Sequence, residues 1–128
     1  MPPKRILVVD DEAPIVSLLQ STLSEAGFEV DGAQNAADAL SLVKDNLYDV
    51  AIVDFVLPDM NGVMLHSKIR QMDQDLGQRT IFISGVAQTE GDLSYYTQTA
   101  GGFLQKPFDT NDVVACVRKL LEEEDQAP

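Results

Sequence analysis

The chain has 128 residues, 45% of them hydrophobic, which suits one domain with a real core and argues against disorder. Its 9 basic and 21 acidic residues leave a net charge of −12, which repels nucleic acid and anionic lipid, and its lone cysteine excludes an internal disulfide. No apolar run approaches the roughly 20 residues that span a bilayer, and the short apolar run after Lys4-Arg5 reaches acids at once, so a cytoplasmic protein is expected, with no direct nucleic-acid or membrane partner.

Ile6-Leu7-Val8-Val9 reads as a strand buried on both faces. Ile15, Leu18, Leu19, Leu23 and Ala26 then mark one face of a helix, with Pro14 tolerated in its first turn and Gly27 as its stop. Phe28 to Ala33 predicts a second strand. Asn35 can cap a helix that carries Leu40 and Val43, with Asp38 near its positive end. Val50-Ala51-Ile52-Val53 is a third strand, and a helix bearing Leu65, Ile69 and Met72 follows the Asn61-Gly62 break. Thr80 to Ile83 is a fourth strand. The segment from Asp92 to Ala100 is a weak helix bracketed by Gly91, Gly101 and Gly102, which predicts a mobile region. Gly102 to Gln105 is a fifth strand, and Asp109 or Thr110 caps a last helix with Val113, Val114, Val117, Leu120 and Leu121 on its face. Residues 1–121 form the domain, and 122–128 read as a solvated acidic tail.

Five alternations of strand and helix predict an α/β fold: one doubly wound, five-stranded parallel sheet with five helices. Ligands of such sheets sit at the carboxyl ends of the strands. Those ends carry Asp10, Asp11 and Glu12, then Asp54, then Ser84-Gly85, then Lys106-Pro107. Crowded carboxylates cannot all stay ionised unaided, and a divalent cation resolves that. With no Cys or His in the cluster, oxygen ligands favour Mg²⁺. Lys106 adds a positive charge, Ser84 a hydroxyl, and Gly85 room for close backbone approach. These are the parts of a site that takes a phosphoryl group onto a carboxylate.

Val8-Val9-Asp10-Asp11-Glu12, Asp54 through Gly62, Ser84-Gly85 and Phe103-Leu104-Gln105-Lys106-Pro107-Phe108, in this order, resemble the motif set of the receiver-domain family of two-component response regulators. The resemblance covers nearly the whole chain and implies a flavodoxin-like sheet of strand order 2-1-3-4-5. It implies Asp54 as phosphoacceptor and Asp10, Asp11, Asp54 and the Val56 carbonyl as the Mg²⁺ set. It implies Lys106, Ser84 and the backbone N–H groups near Phe55 and Gly85 as phosphoryl partners. Ser84 and Phe103 would form the switch. A sensor histidine kinase or histidine phosphotransfer protein would dock on Pro14, Ile15, Leu18, Pro107 and Phe108, and homodimerisation on phosphorylation is a further expectation. The chain would be a phosphoacceptor that promotes its own phosphorylation and slow dephosphorylation, not a multiple-turnover enzyme.

Three rivals remain. A haloacid-dehalogenase-like phosphatase would need a second acid two residues after the nucleophile, where Val56 stands. A nucleotide- or flavin-binding domain would need a Gly-rich or Ser/Thr-rich loop in place of Asp10-Asp11-Glu12. A non-phosphorylated receiver-like binding module would not need the full acid set with Ser84 and Lys106. Outside the cluster, His66 reads as a solvated surface histidine, Cys116 as a buried thiol, and Tyr95-Tyr96 as packing or a partner surface.

Overall fold

Contiguous β-branched runs make the centre of the molecule, because strands covered on both faces need apolar side chains at every position. The computed structural model describes residues 2–85 and 101–125. Strands β1 (Arg5–Val9), β2 (Glu29–Ala33), β3 (Val50–Asp54), β4 (Thr80–Ser84) and β5 (Gly102–Gln105) pair in parallel in the order β2-β1-β3-β4-β5. The predicted sheet and strand order are therefore present.

Period-two alternation sorts the central strands into two cores. Ile6, Val8, Val50, Ile52, Ile81 and Ile83 face helices α1 (Ala13–Glu25) and α5 (Thr110–Asp125). Leu7, Val9, Ala51, Val53 and Phe82 face α2 (Ala36–Asp45), α3 (Gly62–Met72) and the five-residue α4 (Gln74–Gln78). The expected caps form at Asn35, which accepts from the Asp38 amide at 2.8 Å, and at Asp109, which accepts from the Asn111 amide at 2.9 Å; Asn61, read only as a break, also caps, accepting from the Met64 amide at 2.8 Å. Gly27 ends α1 at φ 99°, in the left-handed region that favours glycine.

Several expectations are corrected. In α1 the buried stripe is Val16, Leu19 and Leu23, and Leu18 turns outward, 44% exposed. Met72, expected on the apolar face of α3, is 46% exposed. His66 is not a solvated surface residue but fully buried. Its Nε2 donates to the Gly77 carbonyl of α4 at 2.7 Å, and its ring meets Phe82 edge-on at 5.2 Å. Cys116 is half-buried. Helix α5 runs to Asp125, past the point where its apolar face ends at Leu121. The weak helix over 92–100, with Gly91, Tyr95 and Tyr96, lies outside the described residues. Among the described residues no helix is long and apolar enough to cross a membrane.

Candidate functional site

The parallel register brings four strand ends level. Val9 pairs with Val53, Asp54 with Ile83, and Ser84 with Gln105. The ladder continues one residue beyond the strands: the Asp10 amide donates to Ala33 O, the Phe55 amide to Ile83 O, and the Lys106 amide to Ser84 O. Backbone bonds therefore fix Asp10, Asp54 and Lys106 before any side chain acts.

Asp10 is fully buried and Asp54 is 5% exposed, while Asp11 is exposed. Each buried aspartate turns its Oδ1 to the amide two residues on, Asp10 to Glu12 at 2.9 Å and Asp54 to Val56 at 3.0 Å. Their Oδ2 atoms then face the same space. Lys106 Nζ enters it, 2.8 Å from Asp10 Oδ2, 3.0 Å from Asp54 Oδ2 and 2.9 Å from Glu12 Oε2. The Asp54 and Glu12 contacts are hydrogen bonds. The Asp10 contact is an ion pair without that alignment, so Asp10 Oδ2 stays buried with no hydrogen bond.

Electrostatics follow from the crowding. Burial raises the Asp10 pKa above the usual carboxylate range, with the Asp54 charge adding to it and Lys106 opposing it. Burial pulls the Lys106 ammonium down, but its contacts with Asp10, Glu12 and Asp54 outweigh that and hold it charged. Oxygens of Asp10, Asp11 and Asp54 lie within 4.8 Å of one another. Oxygen-only donors, with one buried oxygen lacking a hydrogen bond, fit a small hard cation such as Mg²⁺.

The loop after β3 has little freedom. The Gly62 amide donates to Phe55 O at 2.6 Å, and Val56 bridges Asn61. A Cβ on Gly62 would stand 2.8 Å from both Asp54 O and Phe55 Cα, so this close approach requires glycine. Asp59 accepts from the Ala36 and Ala37 amides, both at 2.9 Å, which ties the loop to the start of α2. Those two bonds lower the Asp59 pKa.

The other predicted positions divide. Ser84 is fully buried at the end of β4. Phe103 is half-buried, pairs with Phe82 across the β4–β5 ladder, and packs on the core under α2, α3 and α4. Gly85 is exposed, and a Cβ there would meet Lys106 at 3.9 Å, an ordinary contact. Ile15, Leu18, Pro107 and Phe108 come together with the Lys106 stem in a groove of about 370 Å³. Pro14 is exposed and does not line it.

Sequence reasoning grouped Glu12 with the strand-end acids but gave it no role, and it passed over Asp59. Glu12 had a signal: it stands at the N-cap of α1, where shorter polar residues usually cap, and its side chain makes no capping bond. Asp59 had none, because its partners are 22 and 23 residues away.

A family model for the response regulator receiver domain matches residues 6–118. The transcriptional regulatory protein SrrA of Staphylococcus aureus is 31% identical over 116 residues, 91% of this chain and 47% of that protein. DltR of Streptococcus agalactiae is 30% identical over 114 residues, 89% of this chain and 50% of that protein. The chain thus spans about half the length of these curated relatives. Among solved structures, a receiver domain protein from Methanospirillum hungatei superposes with a TM-score of 0.88 at 28% identity, covering 98% of this chain and 99% of that one. TrrA of Thermotoga maritima, crystallised with Mg²⁺ and beryllofluoride, gives 0.80 at 34% identity, covering 91% and 98%. With sheet order, acid cluster and family match in agreement, the chain belongs to the response regulator receiver domain family.

Proposed function

We propose that the chain is a Mg²⁺-dependent phosphoacceptor, which takes a phosphoryl group from a phosphohistidine onto Asp54. The carrying observation is the buried Asp54 carboxylate, 3.0 Å from Lys106 Nζ and beside Asp10 and Asp11 at one edge of the sheet. A sensor histidine kinase or histidine phosphotransfer protein would supply the donor, seated on the groove of Ile15, Leu18, Pro107 and Phe108 with Pro14 at its margin.

The Val56 amide holds the Asp54 carboxylate in one orientation, so it meets the donor in a prepared geometry. An Asp54 oxygen forms the new O–P bond as the donor's N–P bond breaks. The electron pair returns to the imidazole nitrogen, which takes up a proton. A cation held by Asp10, Asp11, Asp54 and the Val56 carbonyl would supply neutralising charge to the phosphoryl oxygens. Lys106 pairs with the same oxygens, and backbone N–H groups near Phe55 and Gly85 complete the contacts. Ser84 turns its hydroxyl toward the new dianion, and Phe103 moves into the space it leaves.

Val56 is exposed and apolar, so its side chain offers no proton-transfer group to clear the phosphoryl quickly. That favours a slowly resetting switch over a phosphatase. We assign residues 1–121 to this unit and 122–128 to its tail.

The test is incubation with acetyl phosphate and Mg²⁺, read by intact mass. One phosphoryl adduct is expected, dependent on Mg²⁺ and absent in Asp54→Asn. An adduct that survives this substitution overturns the assignment.

A further inference from the structure

The ammonium of a lysine has three N–H donors. In the resting site three carboxylates crowd it within 3.0 Å: Glu12 and Asp54 accept hydrogen bonds from it, and Asp10 pairs with it by charge. Two of these belong to the cluster that could hold a cation. Glu12 does not, and it differs from the other two in every respect that matters. Its side chain is 59% exposed, against 0% for Asp10 and 7% for Asp54. Its carboxylate is therefore the solvent-facing one of the three. It occupies the N-cap of α1 without capping it, so no helix-forming role explains its direction. Only its backbone is fixed from within, through the amide bond to Asp10 Oδ1 at 2.9 Å.

We propose that Glu12 is a built-in competitor for Lys106: its carboxylate holds the place on the ammonium that a phosphoryl oxygen takes over. This rests on the phosphoacceptor reading above. The logic is one of exchange. With Asp10, Asp11 and Asp54 holding a cation, those carboxylates would pair less strongly with Lys106, and the added positive charge would disfavour the ammonium beside it. Glu12 is then the carboxylate left to hold it. A phosphoryl group on Asp54 brings oxygens of higher charge to the same donors, and Glu12, the exposed partner, is the one released. Glu12 acts through Lys106 and is a positioning residue. It sets how strongly an anion must bind before Lys106 changes partner.

The test uses beryllofluoride as the phosphoryl mimic, at saturating Mg²⁺, with its affinity measured by titration calorimetry on the full chain. Two variants separate contact from charge. Glu12→Gln keeps the length and removes the charge, and Glu12→Asp keeps the charge and shortens the reach by one carbon. An exposed ion pair of this kind contributes at most a small term, so both variants are expected to bind beryllofluoride about two- to fivefold more tightly than the parent. Their ligand-free thermal midpoints should fall by no more than a few degrees, since the resting fold loses the same small ion-pair contribution, whereas a merely structural Glu12 would move the midpoint and leave the affinity alone. Unchanged or weaker binding in either variant overturns the inference, including the case in which Glu12→Asp behaves as the parent, which reduces the effect to local charge. A parent chain that binds no beryllofluoride with Mg²⁺ and takes no phosphoryl adduct from acetyl phosphate fails the phosphoacceptor reading itself. A parent that does both, with unaltered variants, fails only the role of Glu12.

Discussion

Two cations stand at opposite ends of the sheet, and their surroundings differ in kind. At the amino end, Arg5 pairs with Asp31 at 3.0 Å and Glu29 at 3.6 Å, and lies over the Tyr48 ring at 5.1 Å. Tyr48 in turn donates to Asp31 at 2.7 Å, and Asn46 accepts from Arg5 at 3.3 Å. Burial and its Asp31 contact push the Tyr48 hydroxyl pKa up, so it stays a donor. One guanidinium there faces two carboxylates that are open to solvent, so their excess charge is hydrated and the polar groups find partners already present. At the carboxyl end, one ammonium faces three carboxylates, with Asp11 beside them and one buried oxygen lacking a hydrogen bond. The first cluster is complete and holds the fold. The second is short of positive charge, and in the proposed function a ligand would complete it. A deficit of this kind, more than the number of charges, separates a site from a strut.

Removing each cation in turn should split the two roles. Lys106→Met is expected to slow phosphorylation from acetyl phosphate about 10²- to 10³-fold, as loss of one transition-state charge partner does. Arg5→Met should leave that rate within about twofold and lower stability by roughly 1 kcal/mol, read by urea denaturation. A comparable rate loss in Arg5→Met would erase the distinction.

A smaller effect concerns Asp10. Without a cation its buried carboxylate is a burden, so Asp10→Asn should stabilise the metal-free domain by about 1 kcal/mol. Mg²⁺ at a hundred times its dissociation constant should add about 2.7 kcal/mol to the parent and much less to the variant. Thermal melts with and without Mg²⁺ check both signs.

The least effect comes from His66, which belongs to neither end. Burial lowers its pKa, with the Gly77 carbonyl opposing and the Arg70 charge assisting. The folded state therefore binds the proton less readily than the unfolded chain, whose histidine titrates near 6.5. Its contribution is full above that pH and is lost as pH falls toward the lower folded value. Midpoints measured from pH 7 to pH 5 should drop less in His66→Gln than in the parent. An equal drop would place the acid sensitivity elsewhere.

The error over His66 shows where sequence reading stopped. Helix α4 is a single five-residue turn capped by Asp73, too short to carry an apolar period. Without it, His66 faces solvent; with it, His66 closes the corner between α3, α4 and β4. The long strands were legible because every residue of β1 from Ile6, and all of β3 and β4, is buried. The acids were legible because a parallel sheet sends its strand ends to one edge. Leu18 and Leu19 are equal as sequence, and only the seating of α1 sends one inward and the other to the groove. The contact from Glu12 to Lys106 spans 94 residues, and a long acid at the N-cap position of α1 hints at it without naming its partner.

Lys106 also has a second face. Its stem lines the groove of Ile15, Leu18 and Phe108, while its Nζ sits among the acids. A partner seated on that groove would strip water from the stem and thin the solvent screening around the ammonium. The attraction between Lys106 and an arriving anion would strengthen at that moment. Recognition and chemistry would then share one dielectric boundary. A partner that fits the groove poorly would deliver its phosphoryl group into a wetter, weaker field, so selectivity among donors could arise from water exclusion without any contact specific to the donor.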